Sequence, residues 1–396
     1  MNESKGLLPG VNAWTLPLMA LGCGVMVANI YLCQPLLAQL AIAFGVPEQQ
    51  ASLVAVACQV GYALGILLIV PLADVANTKR LVQALLLAST AGLLIAASST
   101  GIWQLLAASL VIAAASVVPQ VLIPVSTSLV QPAHRAKVVG KLVTGLILGI
   151  LLSRTVSGAV AEFAGTWRAA YVLQALAVIA LLVALPRFLP ARAASATSTT
   201  YSELLSSLVP LLRHRELRLS MVLGFCAFAA FSAVWATLAF HLASDEFRMG
   251  PAAAGLFGLY GAPGALMAPL AGRLSDKYGP SKVNAASLCA VALSGMVAMG
   301  PGKTSMVALV LAVNLLDFGV QSGQIANQAR IFGLGQEFRA RLNTLYMVVN
   351  FAGGALGGLA GGIVWHLAGW HGVCLLGVSL TCVAGAFLAL SAFRRS

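Results

Sequence analysis

The feature that most constrains this chain is a train of about twelve apolar segments, with nearly every charge confined to the junctions between them. The segments fall near 15–44, 50–73, 80–98, 102–130, 138–164, 168–187, 217–243, 251–272, 283–300, 304–329, 342–366 and 370–392. A bilayer crossing needs roughly 20 apolar residues, and these runs are long enough. Inside hydrocarbon the backbone must satisfy its own amides, so segments of this length are expected to cross as helices. Only 9% of the 396 residues are charged, against about 25% in a soluble domain. A water-soluble fold is thereby excluded. The net charge of +12 does not point to nucleic acid, because the basic residues are scattered in short clusters between apolar runs. The partner they imply is the lipid bilayer.

The junctions alternate in charge. On one side lie Lys79 and Arg80; Arg135, Lys137 and Lys141; Arg187, Arg192, Arg213, Arg215 and Arg218; Arg273, Lys277 and Lys282; Arg330, Arg339 and Arg341; and Arg394 and Arg395. The other side carries only Arg168, Arg248 and Lys303. Basic residues are retained on the cytoplasmic side, so a cell-membrane protein with both termini in the cytoplasm is expected. The opening MNESKGLLPGVNA leads straight into a long apolar run, which suits an uncleaved first span. Cysteines 23, 33, 58, 226, 289, 374 and 382 sit within apolar runs without ligand spacing, so neither disulfide nor metal is expected. No cofactor is implied.

The central junction differs from the rest. Residues 189–200, LPARAASATSTT, have linker composition. Tyr201, Leu204, Leu205, Leu208 and Leu211 then follow at helical spacing before a basic RHR, which predicts an amphipathic helix lying on the inner leaflet. Three regions are expected: a six-helix bundle over 1–187, a linker over 188–216 and a second bundle over 217–396. The halves repeat: Asp74 and Asp276 lie 202 positions apart, as do Arg80 and Lys282, and Trp167 and Trp370 lie 203 apart. Equal, even numbers of spans relate such halves by an axis along the membrane normal, a transporter architecture.

At these residues the chain resembles the major facilitator superfamily of secondary transporters. GRLSDKYGPSK at 272–282 is similar to that family's signature loop, with Gly272, Asp276, Lys277, Gly279 and Lys282 in place. The first copy keeps Asp74, Lys79 and Arg80, while Val70, Val75 and Asn77 replace its other positions. The resemblance implies an all-α membrane fold of twelve helices in two pseudo-symmetric bundles around a cavity, and a monomer is expected. It also implies that the loop aspartates gate the cycle, with Arg135 and Lys137 within reach in the first half and Arg339 and Arg341 in the second. Charges that merely set topology are the alternative.

The tenth span carries Asn314, Asp317, Gln321, Gln324 and Gln328 on one helical face, opposite Val307, Leu309, Val310, Leu315 and Phe318. A carboxylate at mid-bilayer costs roughly 2.5–3.5 kcal/mol by insertion scales. That face must therefore meet water or protein, as a cavity wall or as a seam between packed helices. By resemblance the first, fourth, seventh and tenth spans line the cavity. They offer Asn29, Tyr31, Gln34, Ser116, Gln120, Trp235, Thr237 and His241, and the second span adds Gln59 and Tyr62. Amides and rings with few charges suit an uncharged or amphipathic small solute.

Asp317 is the one acid in mid-span, and Arg154 stands toward the outer end of the fifth. An ionisable group at that depth can carry a proton through a transport cycle; a permanent ion pair with Arg154 or another cation, or direct binding of a basic substrate, are the alternatives. Glycine rows (Gly145 and Gly149; Gly353, Gly357 and Gly361, with Gly354, Gly358 and Gly362 beside them) mark close helix contacts. By resemblance the second span faces the eleventh and the fifth faces the eighth, with Gly61, Gly65, Gly258, Gly261 and Gly264 on the opposing surfaces. The fourth span lacks the arginine, and the fifth the Gly-Pro pair, of related drug–proton antiporters. GPGKTS at 300–305 lacks the first glycine of a phosphate loop, since position 297 is Val. The expected function is secondary transport of a small organic solute by alternating access, as proton-coupled efflux. Uptake or exchange of a metabolite is the alternative, and an integral membrane enzyme the rival class.

Overall fold

The computed structural model describes residues 12–189, 200–266 and 268–393. Most of the expected linker, with Arg192, and the terminal Arg394 and Arg395 lie outside the described residues. The crossings are α1 (Thr15–Phe44), α2 (Glu48–Val75), α3 (Thr78–Ala97), α4 (Ile102–Thr127), α5 (Arg135–Phe163), α6 (Arg168–Phe188) and α7 (Arg215–Ala243). They continue as α8 (251–278), α9 (Pro280–Met299), α10 (Met306–Phe332), α11 (339–368) and α12 (370–393). Ten described helices are long and apolar enough to cross a membrane. The last of them, Arg339–Phe393, is two helices meeting at Gly369, whose φ of 60° favours a residue without a side chain. The expected eighth crossing, α8, is described as three shorter helices, Pro251–Tyr260, Ala262–Leu266 and Ala268–Tyr278.

Prolines explain the other breaks, because each removes a backbone donor from the helix ladder. In α1 the regular helix ends at Tyr31 and a tighter turn, Gln34–Leu36, forms around Pro35. In α4 the break falls at Ser116–Val117, just ahead of Pro119. In α2 a wider turn at Gly65–Ile69 precedes Pro71.

The duplication is visible in packing. Within the first bundle α1 meets α5 where Gly24 lies against the Gly145 carbonyl; within the second, α7 meets α11 where Gly353 and Gly357 lie against Phe225 and Ala229. The sequence expected several of these glycines between the bundles, and the structure corrects that. Gly61 and Gly65 seat α4, against Leu110 and Ala114, while Gly261 and Gly264 seat α10, against Asp317 and Asn314. Both pairs thus serve equivalent contacts inside their own bundles. Gly145 and Gly149 likewise face α1.

Between the bundles the seams are α5 against α8 and α2 against α11. Gly158 lies against the Pro251 carbonyl, Gly255 against the Arg154 carbonyl, and Gly258 against Leu151 and Arg154. Thr155 donates to the Gly255 carbonyl at 3.0 Å, and the Ala252 amide donates to Glu162 at 2.9 Å. On the second seam Gly358 and Gly362 meet Val56 and Ser52, and the Trp365 indole donates to Glu48. These contacts gather at the end remote from the basic loops. Toward the basic end, Gly140, Lys141 and Thr144 of α5 are exposed.

The central helix also differs from expectation. It is short, Tyr201–Ser206, opened by a reciprocal cap between Thr200 and Glu203 and followed by a tighter turn over Val209–Arg213. Leu208 and Leu211 pack on Leu217, Ile331, Leu342, Leu345 and Tyr346, and the Tyr201 hydroxyl donates to the Leu68 carbonyl at 2.7 Å. Pro210 in the middle of the segment prevents the continuous amphipathic helix that the leucine spacing suggested.

Candidate functional site

Four sequence candidates from three crossings, Tyr31 and Gln34 of α1, Trp235 of α7 and Asp317 of α10, converge on Arg154. Its guanidinium carbon lies 4.6 Å from the centre of the Tyr31 ring and 3.9 Å from that of Trp235, with Phe231 at 6.0 Å. Its Nε donates to Gln34 Oε1 at 2.6 Å. The break at Pro35 places Gln34 here, since the tighter turn rotates it off the regular course of α1. Arg154 is only 2% exposed, and its Nη2 has no hydrogen-bond partner. Desolvated cation–ring contacts contribute about 2 kcal/mol or more, so the two rings help offset the cost of burying the charge.

Asp317 faces this group from the second bundle. It is 7% exposed, acts electrostatically on Arg154, and lies near the Trp235 indole N–H without closing a hydrogen bond of ordinary geometry. A side chain at Gly261 would overlap its carboxylate, so that glycine forms the notch in which Asp317 rests. The polar face of α10 accordingly turns into protein. Its opposite face is less uniform than expected: Val307 and Leu311 are exposed, but Leu309 is buried.

The remaining cavity candidates divide. Asn29 donates to Ser89 and Ser116 at 3.0 and 2.9 Å and accepts from Gln174 at 2.8 Å, tying four crossings of one bundle. Asn314 bonds back to Val310 of its own helix, as Thr237 does to Ala233. These read as structural. Gln120 donates to the Tyr62 hydroxyl at 3.3 Å, and the Tyr62 ring meets Phe351 of the other bundle at 4.6 Å. Gln59 is buried with its Oε1 unpartnered. Gln321 and Gln324 are half-buried, the latter 4.0 Å from Met347 Sδ, and Gln328 donates to Asn343 at 3.1 Å. His241 stacks on Trp370 at 4.2 Å, away from Arg154.

The signature loops lie at the basic end. Gly279 has φ +84° and opens α9, whereas its counterpart Asn77 has extended backbone and caps α3 by accepting from the Arg80 amide. Each residue therefore suits its own backbone. Asp276, Lys277, Lys282 and Arg80 are exposed, and Gly272 and Lys79 are half-buried. The expected partner sets are only partly matched: Asp74 feels the charge of Arg341 from the other bundle, while Arg135 Nε donates to the Thr127 carbonyl at 3.2 Å.

Sequence reasoning missed Phe228 and Phe231, which continue the Trp235 row on α7. Their spacing of three and seven residues from one another and Trp235 was the available signal. Phe228 stacks on Phe231 at 5.3 Å and meets Phe351 at 5.1 Å. Gly255 was also missed, although it stands three residues before Gly258.

With this geometry the comparisons with known proteins agree. The family model of the Major Facilitator Superfamily matches residues 19–329 and 220–396, and the chain belongs to that superfamily. It is 38% identical over 367 residues to the uncharacterized transporter YgaY of Escherichia coli O157:H7, with 92% of each chain covered. It is 37% identical over 376 residues to the probable transporter SCO4007 of Streptomyces coelicolor, covering 95% of this chain and 85% of that one. A solved bacterial homologue of the human lysosomal transporter Spinster shares the fold, with a TM-score of 0.74 at 14% identity and 96% of each chain covered. The protein is a multi-pass membrane transporter, not an enzyme.

Proposed function

We propose that this protein moves a small organic solute by alternating access of two bundles, 1–187 and 217–396, with protons coupled through Asp317 and export as the working direction. The observation that carries this reading is the Arg154 centre, where a cation of one bundle stacks on Trp235 and feels Asp317 of the other. A charge pair shared by two rigid bodies gives each conformation a different energy, and protonation of the acid changes that difference. The basic end faces the cytoplasm in this scheme, and the tight glycine seams close the outer end. Binding groups are Tyr31, Gln34, Trp235 and Asp317, with Tyr62, Gln59, Gln120, Gln321 and Gln324 along the approach. Asp74 and Asp276 with their neighbouring cations act at the cytoplasmic gate.

The test is solute flux in vesicles of each orientation, with pH clamped on both sides and a panel of solutes. Wild-type flux should follow the proton gradient, whereas Asp317→Asn should reach the membrane in normal amount and lose that dependence. Flux in Asp317→Asn that still follows the gradient would place coupling elsewhere.

A further inference from the structure

The guanidinium of Arg154 is an incomplete site. The Tyr31 and Trp235 rings lie 4.6 and 3.9 Å from its central carbon, and its Nε is used by Gln34. Its Nη2 is buried without an acceptor. An unsatisfied charged donor in a protein interior is costly, and the usual complement of a planar guanidinium edge is a carboxylate. Asp317 supplies the nearby negative charge, yet it rests in the Gly261 notch without a hydrogen bond to that edge.

We propose that Arg154 receives the carboxylate of the transported solute, and that Asp317 is its counter-charge only while the site is empty. Among the described residues Arg154 is the one buried cation away from the basic end, so a single carboxylate is specified. The ring row Phe228, Phe231 and Trp235, continued by Phe351 of α11, offers an apolar wall for the rest of the molecule. The substrate class is therefore a monocarboxylate with an aromatic or apolar body, more polar at its head than the amide content of the crossings suggested.

A consequence follows from charge balance. One guanidinium neutralises one carboxylate. When the solute takes the free edge of Arg154, the site remains neutral only if Asp317 takes a proton from water, since an uncompensated buried charge is strongly unfavourable. Solute and proton then cross in the same direction, and the sum of their two gradients sets that direction; release of an accumulated acid with its proton is one case. This step rests on the reading of Asp317 as the coupling group.

The experiment compares benzoate, benzamide and benzylamine, one ring with three heads, by calorimetry on the full chain in lipid nanodiscs. Two buffers of different ionisation heat report protons exchanged. Benzoate should bind at least about tenfold tighter than either analogue and take up about one proton per molecule. Arg154→Gln and the charge-retaining Arg154→Lys should both weaken benzoate, the former by about tenfold or more, with thermal unfolding reporting whether each folds. Asp317→Asn should bind benzoate with no proton uptake. Benzamide or benzylamine equal to benzoate, or benzoate failing to bind wild type at about 10 mM, would overturn the carboxylate and leave coupling at Asp317 standing. Benzoate binding to wild type without proton uptake would overturn the coupling reading, and with it the paired crossing.

Discussion

The two ends of the bundle interface are built differently. At the end remote from the basic loops, backbone meets backbone through Gly158 and Gly255, and the acids Glu48 and Glu162 reach across to Trp365 and Ala252. At the basic end the links are longer side chains, Asp74 toward Arg341, and the Tyr201 hydroxyl on Leu68. Close backbone packing is specific to one arrangement, whereas exposed charges are worth little individually and exchange partners readily. The difference shows which end is tightly closed in this structure.

The largest effect should come from wedging the tight end. Gly255→Leu places a side chain against the Arg154 backbone, and such overpacking costs about 1–3 kcal/mol. Two transport states differ by only a few kcal/mol, so flux should fall close to background while the protein still reaches the membrane. Flux above half of wild type would show that the seam tolerates separation. Next in size, Glu162→Gln should keep a weaker acceptor for Ala252 and change flux severalfold, read as initial rates. An unchanged rate would reduce that contact to surface decoration. Asp276→Ala at the basic end should lower flux by a smaller factor at normal abundance, and no change would assign the loop to topology alone.

Much of the fold was legible because membrane crossings are set by length and apolarity, and the 202-residue offset of Asp74 and Asp276 carried the duplication. The direction in which a glycine faces was not legible. Gly61 and Gly65 share a face spacing that fits either seam, and only tertiary packing decided for α4. The polar face of α10 was readable from spacing, and Asp317 does turn inward. Arg154 was readable as an oddity but not as a centre, since its ring partners come from α1 and α7, far away in sequence. Likewise Asn29 looked like a cavity residue, although Ser89, Ser116 and Gln174 satisfy it inside one bundle.

The central claim is that the tight end opens when the charge at the Arg154 centre changes. The most direct measurement places spin labels at Phe163 and Asp245, both exposed at that end, after removing the exposed Cys289 and Cys382, and reads their separation across a pH series. The rocking scheme predicts a short separation that gains a longer population as pH is changed in wild type, and a pH-insensitive distribution in Asp317→Asn. One unchanging separation in wild type at every pH, with active transport in the same preparation, would contradict it.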